Sequence, residues 1–348
     1  MRNLITMSKK NFFTATAALL AAAAALALAG CSSDDEIVNS NYPEDNIVRL
    51  TAGVNDMTTR GTYTNSNLKE FGIYIVHPNN YKYSFGNVKA TKGEDGKWTT
   101  SEQMLWADAS TPVAILAYAP YNADYTKDAD RFLDDFFDEN IPQALRFKIP
   151  TEQTADDKSA DILLFNNSKF VPGNDLESQA VNVTFDHALS QLNINIKIGT
   201  EFDLPNKLES NPVSNVKVGR VPIDGDIAVK GGRVSVDQTN NSDKYVSPYL
   251  SQFTAATGNA GREVSNATST YTCILVPTTR DENTFQVTFS MTINGVTKNY
   301  SWTSPDRVTF VSGKSYSLTL TVGDDYVVAG NMTVTPWTEG GSTDLNTD

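Results

Sequence analysis

Thiols and imidazoles are scarce in this chain. Its 348 residues include two cysteines, Cys31 and Cys273, and two histidines, His77 and His187. So few soft ligands argue against a structural zinc site, and no Cys-rich spacing suggests a disulfide framework. Cations are also in deficit: 28 Lys and Arg face 41 Asp and Glu, a formal charge of −13. Nucleic acid and anionic headgroups make poor partners for such a surface. Nucleophile and phosphate motifs are missing as well. No Gly-x-Ser-x-Gly elbow occurs. Gly313-Lys314-Ser315 has Val308 where a phosphate loop needs its first glycine, so it reads as a turn into a strand. The sequence therefore reads as a non-enzyme with no cofactor and no metal.

The N-terminus is the one place with a long apolar run. Arg2, Lys9 and Lys10 precede a stretch of mostly Ala and Leu from Phe12 to Gly30, the charged-then-apolar order of an export signal. Leu28-Ala29-Gly30-Cys31 is the small-residue approach to a bacterial lipoprotein cleavage site. Residues 1–30 thus read as a signal peptide, with Cys31 as the acylated first residue of the mature chain. Several alkyl tails there give stable membrane anchoring where a single chain would not. Loss of three cations and no acids moves the formal charge from −13 to −16. Residues 31–45 form an acidic tether, and Ser32-Ser-Asp-Asp-Glu36 resembles a signal for the outer face of the outer membrane. Cys273 remains as a buried strand thiol.

From Asn46 onward the dominant signal is period two. Phe285–Ile293 and Val296–Trp302 alternate on either side of Asn294-Gly295, a pair that favours positive φ, so the stretch predicts a type I′ hairpin. The register sets Ile293 opposite Val296, Phe289 opposite Tyr300 and Val287 opposite Trp302, and predicts one buried face. Further strands are expected at Ile47–Val54, Phe71–Val76, Val113–Tyr118, Leu145–Ile149, Asp161–Phe165, Val181–Phe185, Leu192–Ile198, Val216–Ile223, Ile227–Val236, Tyr271–Val276, Tyr316–Val322 and Met332–Trp337. Many short alternating strands predict antiparallel β-sandwiches rather than an α/β enzyme. A short acidic helix is expected in Asp128–Asp138, and a long surface insertion in Asn240–Arg262 with a helical turn or no element at Tyr249–Ala256. His77 reads as an exposed turn residue, and His187 as a structural hydrogen-bonding group.

Several stretches in order resemble the fimbrillin family, the lipoprotein-exported subunits of type V pili. They are the lipobox, Thr59-Arg-Gly-Thr-Tyr63, Leu68-Lys-Glu-Phe-Gly-Ile-Tyr74, Gly96-Lys-Trp98, Leu105-Trp106, Leu116-Ala-Tyr-Ala-Pro-Tyr121, Asp161-Ile-Leu-Leu164, Phe185-Asp-His-Ala-Leu-Ser-Gln-Leu192 and Val334-Thr-Pro-Trp337. The resemblance implies an all-β chain of two tandem transthyretin-like antiparallel β-sandwich domains, residues 46–185 and 186–348. It also implies assembly by strand exchange: an extracellular arginine-specific protease cuts between Arg60 and Gly61, and the first strand leaves. Val48, Leu50, Ala52 and Val54 form that strand's apolar face, and withdrawing it would leave a slot open to β-augmentation. The candidate donor segment carries Val327, Met332, Val334 and Trp337; its alternative is to complete its own sandwich. Partners implied are other fimbrillin subunits, the protease, and the outer membrane through the lipid anchor.

Other readings remain. One is a lipid-anchored module that binds a host glycan or protein and never polymerises; Tyr81, Tyr83 and Phe85 could stack on sugar rings or simply pack a hairpin. Another is a surface hydrolase using paired carboxylates. The acids of Asp124–Glu139 read as a solvated face, because the ligand ladder of an EF-hand loop is missing.

Overall fold

The computed structural model describes residues 41–55, 62–125, 144–202, 208–228, 233–235, 244–257 and 266–337. Among these, twenty-two short strands carry nearly all the regular structure. A seven-stranded sheet runs in the order β1 (Leu50–Val54), β8 (Val181–His187), β7 (Leu163–Phe170), β5 (Val113–Ala119), β2 (Glu70–Val76), β3 (Phe85–Lys92), β4 (Trp98–Thr100). Its central strands β2 and β5 are buried on both faces, which is why they read as continuous apolar runs rather than alternations. One face gathers Phe71, Ile73, Ile115, Val183 and Phe185 with Trp106. The opposite face turns Tyr74, Leu116 and Leu164 toward Leu145, Phe147 and Ile227. Those last residues belong to a three-stranded sheet of β12 (Arg233–Ser235), β11 (Asp224–Ala228) and β6 (Ala144–Lys148).

The second pair of layers is built the same way. One sheet runs β14 (Tyr249–Thr254), β15 (Thr268–Leu275), β9 (Ser190–Ile198), β20 (Lys314–Val322), β21 (Val327–Ala329), and β22 (Thr333–Pro336) shares the β20 edge with β21. The facing sheet runs β13 (Tyr245–Val246), β10 (Val213–Gly219), β17 (Gln286–Ile293), β18 (Val296–Thr303). Leu192, Ile194 and Ile196 meet Leu318, Val287 and Phe289 in one core. β16 (Thr278–Arg280) and β19 (Val308–Phe310) form a separate ribbon. The fold is two β-sandwiches in tandem. β8 runs through the join expected at Phe185–Asp186. The three-stranded sheet takes β6 from before that join and β11 and β12 from after it.

The hairpin register is as the alternation requires: Ile293, Phe289 and Val287 face Val296, Tyr300 and Trp302. Asn294 and Gly295 both have positive φ, 51° and 78°. The expectation of one fully buried face needs correction, because Val296 is 61% exposed; the hairpin tip projects beyond the sheet it packs on. Two joins are parallel rather than antiparallel, β1 on β8 and β9 on β20. Alternation fixes which face a residue takes but not the direction of its neighbour. Tyr249–Ala256 holds a strand, β14, whose ladder to β15 shifts register between Leu250 and Gln252. Its side chains still alternate between half-buried and exposed, but Leu250 faces out and Ser251 faces in, so the polarity of the sequence does not mark the strand. Ile227–Val236 is divided into β11 and β12, which pair with each other. The acidic helix expected in Asp128–Asp138 lies outside the described residues.

Candidate functional site

β1 is an edge strand, held in three ways. Its residues Leu50 to Val54 lie in parallel register on Val181 to Phe185 of β8. Upstream, the backbone turns to a different partner: Val48 N–H donates to Met104 O at 3.0 Å and Trp106 N–H to Asn46 O at 2.8 Å. At the far end the Asn65 side chain takes the place of a strand, its Oδ1 accepting from Val54 N–H at 2.7 Å and its Nδ2 donating to Val54 O at 3.4 Å. Val48, Leu50 and Val54 are buried in the Phe71 core, and Ala52 packs half-buried beside them. Each such large apolar side chain is worth about 1.5–3 kcal/mol of burial. The alternation of the sequence thus marks the right inward face, whereas the partner segment at Met104–Trp106 and the Asn65 clamp left no periodic signal.

Both ends of the connection leaving β1 are tied to the same end of β8. On the upstream side Asn55 N–H donates to Phe185 O at 2.8 Å and its side chain to Asp186 at 2.7 Å. On the downstream side Thr62 is buried, and Tyr63 N–H donates to Asp161 Oδ2 at 2.7 Å. The other carboxylate oxygen of Asp161 lies 2.8 Å from His187 Nδ1, with both side chains fully buried. Burial beside the Asp161 carboxylate also pushes the Tyr63 hydroxyl up to about 12. Arg60 and Gly61 lie between these anchors, outside the described residues, as does Cys31.

The imidazole of His187 stacks on the Trp337 indole at 4.1 Å and 8°. Trp337 is buried, and its backbone N–H donates to Gly313 O at 2.9 Å. Three stretches far apart in sequence, at Asp161, His187 and Trp337, therefore meet at one point. The structural role expected of His187 is what this contact shows. The sequence signal for the trio was only their presence in separate stretches that resemble the fimbrillin family, with nothing to say that they touch.

Val327 lies in β21 and Val334 in β22, with Met332 just before it, all half-buried on the β20 edge of their own sheet. Elsewhere, His77 is buried rather than an exposed turn residue: a 3-10 turn at Tyr81–Tyr83 folds back beside it, and its Nδ1 accepts from Asn79 N–H at 3.2 Å. Tyr81 is exposed, and Tyr83 and Phe85 are half-buried. Cys273 is buried, and burial pushes its thiol well up. Among the described residues no cluster of His, Cys, Asp and Glu suits a metal ion, and no helix is long and apolar enough to cross a membrane.

Tandem sandwiches built almost wholly of β-strands define the class as a β-sandwich protein. The family model described as fimbrillin-like matches residues 57–337, and the chain belongs to that family. It is therefore a fimbrial-type structural protein of surface appendages. No curated protein matches it. Among solved structures it is similar to a candidate cell adhesion protein from Bacteroides uniformis, with 19% identity and a TM-score of 0.52, covering 85% of this chain and 100% of that one. A second, from Bacteroides ovatus, gives 13% identity and a TM-score of 0.53, covering 85% and 99%. At these identities the likeness speaks for the fold alone.

Proposed function

We infer that this fimbrial subunit is exported as a lipoprotein through Cys31, carried to the outer membrane, and cut after Arg60 by an arginine-specific protease. β1 then leaves, and a strand of another subunit takes its place in a fibre that serves adhesion. The observation that carries this reading is the position of β1. It is an edge strand, and the connection that follows it is anchored separately at Asn55 and at Tyr63. A cut between those anchors leaves Tyr63 fixed to Asp161 and turns residues 46–54 into a separable segment. The vacated flank of β8 offers a row of backbone groups and an apolar slot, the requirements for strand addition.

The test is incubation of the purified precursor with an arginine-specific protease. The expected result is a new N-terminus at Gly61, followed by high-molecular-weight species on unboiled gels. Cleavage elsewhere, or cleavage with no polymer, counts against the reading. A second reading, a lipid-anchored monomer that binds glycans or host proteins, draws support from β21 and β22, which already occupy the β20 edge in their own chain. It predicts that protein recovered from cells keeps Cys31 and never appears in fibres.

A further inference from the structure

Between the outer side of β1 and the β4 edge lies an open cleft of ≈ 720 Å³, within the range of small-ligand sites. The seven-stranded sheet curls until its two end strands face each other, so one wall is Ile47–Ala52 and the other Lys97–Thr100. In a chain with thirteen more acids than bases, no Asp or Glu lines this cleft, whereas Arg49, Lys92 and Lys97 do. Their charges are not equally available. Arg49 is held by a two-point contact with Asp45, at 3.0 and 2.6 Å. Lys97 stands 3.9 Å from Asp95, too long for a hydrogen bond. Lys92 donates to Asn65 O at 3.2 Å and, among the described residues, has no carboxylate partner. Trp98 follows Lys97 directly in sequence: Phe71 packs against its ring at 4.9 Å, and Lys92 Nζ lies 5.9 Å from its centroid. Thr51, Thr99, Thr100 and Gln103 supply neutral hydroxyl and amide groups to the same walls.

We propose that the cleft between β1 and β4 binds a carboxylate-bearing oligosaccharide. The Trp98 indole offers a flat apolar surface to the C–H face of a sugar ring. Lys92 and Lys97 take the carboxylate, and the threonines and Gln103 take ring hydroxyls. A neutral sugar would leave the lysines unanswered, and an acidic peptide would use the charges but not the platform. Because β1 is one wall, the site is complete only while β1 is in place. A ligand bound there favours the uncut form by mass action. For its use the proposal rests on the second reading above, a glycan-binding form that keeps β1, and binding is read directly on the uncleaved chain. A failure to bind therefore leaves fibre assembly untouched, and a failure to assemble leaves binding untouched.

The test is titration of the full-length protein with oligogalacturonate and sialyllactose, with maltohexaose as the neutral probe and oligoglutamate as the acidic peptide. The expected result is saturable binding of an acidic saccharide that weakens with salt and falls about tenfold in Lys92→Gln and in Lys97→Gln, the loss of one charge-assisted contact each. Both lysines reach solvent, so these variants fold even if Trp98→Ala, which strips a neighbour from Phe71, does not. The proposal is overturned if no acidic saccharide binds, if maltohexaose binds equally well, if oligoglutamate competes at equal charge, or if both lysine variants keep full affinity.

Discussion

At the scale of single residues, Asp161 bears the most. Its two oxygens serve two chain segments, Tyr63 N–H and His187 Nδ1, and its side chain has no exposure to water. Asp161→Ala leaves two buried polar groups unanswered, and the expected cost is about 3 kcal/mol, read as a lower denaturation midpoint with an unchanged slope. Because the same change frees Tyr63, arginine-specific proteolysis near residue 60 is expected to speed up in parallel. Asp108 gives a second, pH-dependent prediction. Burial raises its carboxyl, but hydrogen bonds from the backbone and hydroxyls of Thr111 and Ser110 outweigh that and hold it at about 2. The folded carboxyl ionises below its ordinary range, so its stabilising effect is present above about pH 4 and is lost as pH falls through about 2. Asp108→Asn is expected to flatten the acid limb of a pH–stability curve in that window while leaving the curve above pH 5 parallel to that of the native chain. The partners of Asp161 could not be read from sequence, whereas those of Asp108 lie two and three residues ahead, the spacing of an Asx turn. The distant partners of a carboxylate are set by what folds beside it, and no spacing rule links Tyr63 to Asp161, 98 positions further on.

At the scale of elements, legibility followed locality. The hairpin at residues 286–303 was readable down to each cross-strand pair, because a two-residue turn fixes the register and alternation fixes the face. β14 was not, because its alternation places the apolar Leu250 outward and the polar Ser251 inward, so burial and polarity do not coincide. The parallel seams β1/β8 and β9/β20 join segments more than 100 residues apart. Strand patterns carry no record of so distant a neighbour. For β1 the inward face was legible and its two-partner hold was not, and that hold gives a graded prediction. Asn65→Ala removes the amide that caps both backbone groups of Val54, at an expected cost of about 1 kcal/mol. Leu50→Ala removes a buried side chain at an edge, with an expected cost of about 2–3 kcal/mol. If β1 must detach for assembly, both variants should polymerise faster after cleavage, Leu50→Ala more than Asn65→Ala. Equal rates in all three proteins would mean that strand departure does not limit assembly.

At the scale of the whole molecule, one buried cluster runs from Tyr74 and Leu145 through Leu192 and Leu318 to Trp337, so the segment that ends at Trp337 belongs to it. β22 closes the β20 edge over Lys314–Ser317, and Trp337 lays its indole against the His187 ring at the end of β8. If this segment is donated to a neighbour, its own sheet must survive with that edge open. If it serves only its own fold, the edge must be filled at all times. Removing residues 331–348 distinguishes the two. The truncated chain loses four residues of ladder and the cover of a buried histidine. It is expected to melt several degrees lower, because a few kcal/mol is a large share of a stability of about 5–15 kcal/mol. A peptide of residues 331–340, added in trans, is expected to restore the melting temperature, because the β20 edge presents the same backbone groups to any strand of that pattern. Recovery with this peptide but not with a scrambled one would show that β22 and the β20 edge can part and rejoin, which a segment donated to a neighbour's β8 requires. No recovery at millimolar peptide would confine β22 to its own sandwich, and the donor would then have to come from a different subunit.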